Sequence, residues 1–368
     1  MLKPFSALYY VRHNLRRSLV LIFLVFISYT AYLGGLYVTN PKDNFVRSAC
    51  MMENYALFHM TYMDTGGVEF EKAKAAAEDL DGITCVNAGG DNSLQFMAVM
   101  HFTMNCAVMP TFHDAEAFEK FNDVTHCLSP EQKPADGQVY LTSMMARNSD
   151  LRVGDVLSSD NSDYGSFMRD FTVGGIIESE TYYALFFDYE HQTSSFMLLN
   201  TGLPAATFEA RITDFSENYT TLFVQDKGST LQELDPQFRP FLYIYVAILV
   251  LLSVVLAITI NASFVGAYEK RRYEFAVYHG IGFTKGKLIL KIAMELLFTM
   301  LTGLLAGGIL FFVGLYLLNH LVLEPDGQYL RYFHPVAIIG LLLCNVLIFL
   351  PMFLFRLRWV KKLDICAY

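Results

Sequence analysis

Residues 241–268 read FLYIYVAILVLLSVVLAITINASFVGAY, a run with no Asp, Glu, Lys or Arg. A helix rises about 1.5 Å per residue, so roughly 20 residues cross about 30 Å of hydrocarbon. A run this long and this uniformly apolar can satisfy its backbone polar groups in lipid only as a helix. Three other windows share the property, at residues 18–41, 296–323 and 332–355. The four together predict four membrane-spanning helices. The first window is longer than the roughly 7 to 15 apolar residues of a signal peptide, and its end at Tyr37-Val38-Thr39-Asn40-Pro41 offers no small-x-small cleavage site. An uncleaved anchor is expected there.

Composition agrees with this reading. The chain is 54% hydrophobic and 15% aromatic but only 17% charged, against about 25% charged for a typical soluble domain. That excludes an ordinary soluble enzyme. The 31 Phe and 22 Tyr supply far more buriable surface than a disordered chain carries. A net charge of −9 argues against nucleic acid as a partner, because such binding rests on neutralising phosphates.

Orientation follows from the Lys and Arg that flank the spans, which are retained on the cytoplasmic side. Lys3, Arg12, Arg16 and Arg17 precede the first window, Lys270, Arg271, Arg272, Lys285, Lys287 and Lys291 separate the second and third, and Arg356, Arg358, Lys361 and Lys362 follow the fourth. Only Arg331 lies between the third and fourth. Both termini are therefore expected in the cytoplasm of a multi-pass plasma-membrane protein. The expected layout is a cytoplasmic N-terminus at 1–17, spans at 18–41, 240–268, 288–318 and 335–355, an exported domain at 42–239, a cytoplasmic coupling segment at 269–287, a short outer loop at 319–334 and a cytoplasmic tail at 356–368. The exported stretch holds 12 Lys/Arg and 30 Asp/Glu, a formal charge of −18. Its acidity reads most simply as a solvated surface.

The exported stretch has an α+β pattern. Residues 68–80, VEFEKAKAAAEDL, have helical composition and stop at Asp81-Gly82, and 113–124 predict a second helix with Ala115, Phe118 and Phe121 on one face. Residues 83–87, 139–146, 171–177, 182–189 and 195–200 read as strands punctuated by Gly, Asp, Asn and Ser, and 94–108 are rich in apolar and β-compatible residues. Residues 230–240 enter the second span without a Gly/Ser linker, so stiff coupling to the membrane helices is expected. Cys50, Cys85, Cys106 and Cys127 lie in the exported stretch and allow three pairings, among which the sequence does not choose.

Catalytic motifs are not found. No H-E-x-x-H, G-x-S-x-G or paired C-x-x-C occurs, and the phosphate-loop lookalike around Gly286 and Lys287 has Leu288 where a Ser or Thr would hold magnesium. His101, Met104, Cys106, Met109 and His113 form a soft-ligand group, but in a strand His101 and Met104 face opposite sides. No metal, cofactor or enzymatic activity is expected of this chain.

The cytoplasmic link carries the distinctive chemistry. It runs Tyr268-EKRRYEFAVYHGIGFTKGKLILKIAMELLFTMLTGLLAGG-Ile309: a charged turn, an aromatic and aliphatic stretch, a break at Gly280 and Gly282, then Thr284 as N-cap of a long helix. Phe275, Val277 and Tyr278 beside Lys270, Arg271 and Arg272 make a short amphipathic element at the inner surface, suited to docking a partner or to anchoring at lipid headgroups. Glu295 follows Lys291 by four residues, a spacing at which the two can pair, and Gly303-Leu-Leu-Ala-Gly307 is a small-xxx-small face for close helix packing within the protomer or across a dimer.

These residues resemble the signature of the FtsX-like permease family, the membrane subunits of MacB-type ABC transporters. Arg272 and Glu274, Gly282, Glu295, Gly303 and Gly307 stand at the signature's Arg-x-Glu pair, break, early Glu and spaced glycines. Asp81-Gly82-Ile83, Leu151-Arg-Val-Gly-Asp-Val-Leu157 and Phe171-Thr-Val-Gly-Gly-Ile176 are similar to turns and strands of the MacB-type outer core. Tyr278-His279-Gly280-Ile281-Gly282 departs from the family's usual break. The resemblance implies an α-helical membrane protein with four transmembrane helices and a MacB-like α+β extracytoplasmic domain inserted between helices one and two. It implies a non-catalytic permease subunit, with ATP and magnesium held by a separate ABC ATPase, and a second permease copy or paralogue as dimer partner in the lipid. Its coupling residues are expected to be Lys270, Arg271, Arg272, Glu274, Phe275, Tyr278 and Gly282, with Glu295, Gly303 and Gly307 packing the spans. Such a subunit moves its outer domain to export or extract an amphiphilic peptide or lipid-like substrate; the alternative is a mechanotransmitter that activates an outer partner such as a cell-wall hydrolase.

The charge layout generates a direct test. Protease added to sealed cells is expected to cut within residues 42–239 and to spare the Arg271 region; the reverse pattern contradicts the orientation.

Overall fold

Long charge-free runs become helices in this chain, and short apolar runs between turn residues become sheets. The computed structural model describes residues 26–361 with Leu19 and Phe23, apart from 62–63, 65–66, 91, 100, 102, 107, 130–131, 161–162, 192–193 and 270. The N-terminal segment predicted to be cytoplasmic, the start of the first predicted span and residues 362–368 lie outside the described residues. Two units form: a helical one from Met1–Thr39, Pro240–Leu318 and Leu330–Tyr368, and an α+β one from Asn40–Arg239 with Asn319–Tyr329.

Among the described residues, three helices are long and apolar enough to cross a membrane: Lys227–Ala262, Lys285–Leu323 and Pro335–Phe355. The helical unit draws on α1 (Tyr29–Ala49), and on four helices numbered after those of the other unit: α6 (Lys227–Glu269), α7 (Arg272–Gly280), α8 (Lys285–Leu318) and α9 (Pro335–Lys361). Helix α1 carries Pro41 inside it and runs past the predicted boundary at that residue. The continuation is held by tertiary packing, since Ala49 is fully buried and Ser48 Oγ accepts from the Tyr182 amide at 3.2 Å. Close approach of backbones fixes the helix contacts, as expected where lipid removes the hydrophobic drive between helices. A Cβ on Gly35 would stand 2.8 Å from Ala337 Cα, and one on Gly340 would meet the Tyr245 hydroxyl. That hydroxyl donates to the Ala31 carbonyl at 2.9 Å. Tyr29 likewise donates to Leu304 O at 2.7 Å, and Asn345 Nδ2 to Ser28 Oγ at 3.1 Å.

The α+β unit begins with β1 (Tyr55–Met60), α2 (Val68–Glu78) and β2 (Ile83–Val86), and closes with β12 (Ser195–Asn200), α5 (Ala205–Asn218) and β13 (Leu222–Gln225). Their sheet order β13-β1-β12-β2 is the ferredoxin-like split βαβ arrangement. Its core joins Phe58, Phe196, Phe70, Phe208, Ile212 and Phe215, with Phe58 stacked on its cross-strand partner Phe196 at 5.2 Å. Neither β1 nor α5 is predicted above. Strand β1 has four consecutive buried residues and so lacks the alternation that marks a strand.

The chain between β2 and β12 is an insertion with its own core. It contains β3 (Ala88–Gly89), β4 (Ser93–Met97), β5 (Thr103–Asn105), β6 (Thr111–Phe112), α3 (Ala115–Thr125), β7 (Gln138–Thr142), α4 (Ser143–Asn148), β8 (Val156–Leu157), β9 (Gly165–Ser166), β10 (Phe171–Ile177) and β11 (Ala184–Phe187). Six strands pair in the order β3-β6-β11-β7-β10-β8, and three more as β5-β4-β9. The predicted strand at 139–146 is corrected: it ends at Thr142, whose side chain caps α4 by accepting from the Met145 amide at 3.4 Å. A capping hydroxyl overrides the β-compatible composition there. The β-compatible stretch at 94–108 supplies two short strands, β4 and β5.

All five described cysteines are free thiols. Burial pushes the Cys85 thiol up to about 11, whereas Cys50 is exposed. At pH 8 the Cys85 thiolate is then roughly one part in a thousand. Iodoacetamide at pH 8 is expected to modify Cys50 at least about a hundredfold faster than Cys85 in the folded chain; equal rates by peptide mass spectrometry contradict the burial.

Candidate functional site: the clamped coupling helix

Helix α7 has nine residues, fewer than an isolated helix needs to persist in water. Its existence therefore depends on what holds it. Phe275, 1% exposed, enters a core with Leu256 and Ile260 of α6 and Leu288, Ile292 and Leu296 of α8. The C-terminus closes as a Schellman motif: Phe283 N donates to Tyr278 O at 3.0 Å and Gly282 N to His279 O at 2.9 Å. Gly282 sits at φ +96°, and the rings of Tyr278 and Phe283 meet edge-on at 5.7 Å, supplying the hydrophobic contact usual for this cap. Thr284 then starts α8, its Oγ1 accepting from the Lys287 amide at 3.4 Å.

Charge locks the same helix to α8. The Arg271 guanidinium donates to Glu274 through Nε at 2.7 Å and Nη2 at 3.1 Å, and to Glu295 through Nη1 at 2.8 Å and Nη2 at 3.2 Å. The Glu295 side chain is 2% exposed and that of Arg271 12%. One guanidinium thus forks onto two carboxylates, a geometry that a lysine ammonium cannot supply. Its Cζ also lies 5.0 Å from the Phe275 ring centroid. Lys291 Nζ completes the group, 3.5 Å from Glu274 Oε1 and 4.3 Å from the Tyr278 ring centroid. Two cations balance two anions, which is what permits burial: removing one member of such a buried pair typically costs about 3–5 kcal/mol.

Burial alone would lower the Arg271 value, but the hydrogen bonds and charges of Glu274 and Glu295 outweigh it and raise the guanidinium further. For Glu274, burial pushes upward and the hydrogen bonds and charge of Arg271, with Lys291, more than offset it, so its carboxyl is held below the ordinary 4.5. A depressed carboxyl stabilises the folded form above its ordinary value. The clamp is therefore intact at neutral pH and weakens as pH falls through the lower, folded value.

The residues singled out by sequence divide as follows. Lys270 lies outside the described residues, and so does the side chain of Arg272, which is the first residue of α7. Arg271, Glu274, Phe275, Tyr278 and Glu295 come together in the clamp, and Gly282 shapes its end. Glu295, expected to pair with Lys291 at i, i+4, is bound by Arg271. Gly303 is buried, and a Cβ on Gly307 would stand 3.2 Å from Tyr29 Cε2 and 3.3 Å from Phe26 Cα, so that face packs within the protomer. Val277 belongs to the amphipathic element read from the sequence, but Tyr273 and Ile281 do not; Tyr273, Val277 and Ile281 are 76%, 45% and 68% exposed. Their i, i+4, i+8 spacing puts an apolar stripe on one face of α7 and the Ile281 cap that follows it. In the soft-ligand group, Cys106 Sγ donates to Tyr182 O at 2.9 Å and His113 Nδ1 lies 3.0 Å from Asp188 O; no group of three or more His, Cys, Asp or Glu able to hold a metal occurs among the described residues.

The fold and the clamp define an α-helical membrane protein with an α+β domain between its first two apolar segments and a short, buttressed helix between the next two. Residues 238–362, the stretch that holds α7, α8 and α9, match the family model described as FtsX-like permease C-terminal. Such domains are non-catalytic membrane subunits of ABC transporters and work with an ABC ATPase. Among solved structures, the chain is similar to the periplasmic region of MacB from Actinobacillus actinomycetemcomitans, at 8% identity and a TM-score of 0.26, over 50% of this chain and 92% of that one. No curated protein matches the chain.

Two neighbouring glycines separate backbone need from space. A Cβ on either Gly280 or Gly282 meets nothing within 4 Å, but only Gly282 has positive φ. Gly282→Ala is expected to destabilise α7 by about 1 kcal/mol or more and Gly280→Ala to leave it unchanged or firmer, read as hydrogen exchange of residues 272–283. Equal effects of the two substitutions contradict the Schellman assignment.

Proposed function

We propose that this chain is the membrane subunit through which separate ABC ATPase subunits, which hold ATP and magnesium, drive an exported α+β domain, and that it works as a dimer with a second permease copy or paralogue. The observation that carries the reading is the exposed stripe of Tyr273, Val277 and Ile281 on a helix whose opposite side is fixed by Phe275 and the Arg271 fork. An apolar helix face of this size suits a groove on a partner, and the buried fork makes a push on the stripe a push on α8.

Retention of positive residues puts α7 in the cytoplasm, where ATP is available, and the acidic unit outside. Helix α6 then runs unbroken from Lys227, within the outer unit's final residues, to Glu269 beside α7. Helix α8 runs 34 residues from the other side of α7, about 50 Å at helical rise. The described spans carry no Asp, Glu, Lys or Arg in their central turns, so they do not offer a charged path across the bilayer. Substrate is handled at the outer domain, as export or extraction of an amphiphilic peptide or lipid-like molecule.

Tyr273→Asp combined with Val277→Asp tests the docking role. The double variant is expected to insert normally, since both side chains are exposed, and to recover at least tenfold less ABC ATPase on co-purification from membranes. Undiminished ATPase capture contradicts the assignment of the stripe.

A further inference from the structure

The connection between α8 and α9 is short, and its sequence, Asn319-HLVLEPDGQ-Tyr329 with a turn around Glu324-Pro-Asp-Gly-Gln328, reads as a solvent loop. Its contacts assign it instead to the α+β unit. Helix α8 gives way to a π-helical turn over Asn319–Leu323, closed by Glu324 N donating to Asn319 O at 2.8 Å. Asn319 is fully buried and Leu323 is 7% exposed. A π turn at a helix end marks a place where a regular register has been given up for a specific contact.

Four carbonyls of the segment then receive side chains of the outer unit. Arg147 Nη1 donates to Glu324 O at 3.3 Å, Asn148 Nδ2 to Asp326 O at 3.1 Å, Tyr182 Oη to Gly327 O at 2.5 Å, and Asn40 Nδ2 to Tyr329 O at 2.6 Å. In return, Gln328 Nε2 donates to Met97 O at 3.3 Å. Gly327 has φ +62°, and a Cβ there would meet Met144 O and stand 2.5 Å from Asn148 N. Backbone lies on backbone at that point, so only glycine fits. Tyr182 is itself anchored, stacked on Phe96 at 4.2 Å between ring centroids.

We propose that residues 319–329 are a transmission strap, through which α8, displaced by the ATPase acting on α7, pulls on the outer domain directly and alongside the α6 route. The proposal rests on the permease reading above. The clamp ties α7 to the start of α8, α8 is continuous to Leu318, and the strap ties its far end into the domain. Asn148, Tyr182 and Gly327 are then positioning residues for the outer domain's movement. The domain is held by α6 on one side of α7 in the chain and by the strap on the other, so a difference in displacement between α6 and α8 is delivered to the domain as strain.

The test uses the full chain in lipid nanodiscs with its co-purified ATPase, followed by hydrogen exchange with and without the non-hydrolysed nucleotide AMP-PNP. Two variants release the strap differently: Gly327→Val by collision, and Asn148→Ala with Tyr182→Phe by removing hydrogen bonds without adding atoms. Both are expected to raise exchange at 319–329 roughly tenfold or more, while β1, β12 and the ATPase yield stay as in the wild type. The nucleotide-dependent change in exchange across residues 40–239 is expected to fall by at least half in both. An outer domain that answers AMP-PNP equally well with the strap released overturns the proposal, as does a wild-type strap that exchanges as fast as an open loop. Loss of ATPase from the wild-type preparation is a separate readout and strikes the permease reading itself.

Discussion

One guanidinium, that of Arg271, holds two carboxylates that belong to different helices, and the arrangement of α7 against α8 depends on it. Glu274 is one helical turn away on α7 and Glu295 lies inside α8. Without the cation, Glu295 would be a nearly fully buried carboxylate at the edge of the bilayer, where an isolated charge is costly. Without Glu295, the guanidinium would lose half its partners in a site too enclosed for water to replace them. The pair makes each helix a condition for the other, and Phe275 closes the apolar side of the same joint.

That mutual dependence has a mechanical meaning. A nine-residue helix with free ends would absorb a displacement by tilting or fraying. One that is capped by Gly282, fixed by a fork and packed through Phe275 passes it on. The stripe of Tyr273, Val277 and Ile281 is therefore the compliant outside of a stiff joint, which α6 and α8 leave in the two chain directions. The α+β unit in turn has two layers of organisation: a ferredoxin-like sheet continuous in the chain with α1 and α6, and an inserted sheet domain whose α4 and β4 hold residues 326 and 328.

Much of the fold is legible in the sequence because its cause is local. Charge-free windows longer than a bilayer is thick admit one backbone solution, and the Gly282 break and Thr284 cap are written in the residues that make them. The strands at 171–177 and 195–200 are flanked by turn residues and match β10 and β12. What is less legible is set by partners distant in sequence. Two adjacent arginines, 271 and 272, are indistinguishable by composition, and only the phase of α7 against α8 selects Arg271 for the fork. Strand β1 is buried on both faces and shows no period. The strap is hidden most thoroughly, because it is recognised through its carbonyl groups, which every residue possesses; Gly327 is its single sequence mark, and in a Pro-Asp-Gly turn that glycine reads as an ordinary turn residue.

The central claim is that α7 and α8 move as one body because Arg271 joins them. A double-mutant cycle with Arg271→Ala and Glu295→Ala, read as the opening free energy of residues 272–280 by hydrogen exchange in the full chain, measures this directly. The account predicts a coupling of at least about 1.5 kcal/mol between the two positions. Additivity within about 0.5 kcal/mol would mean that the fork does not join the helices and would contradict it.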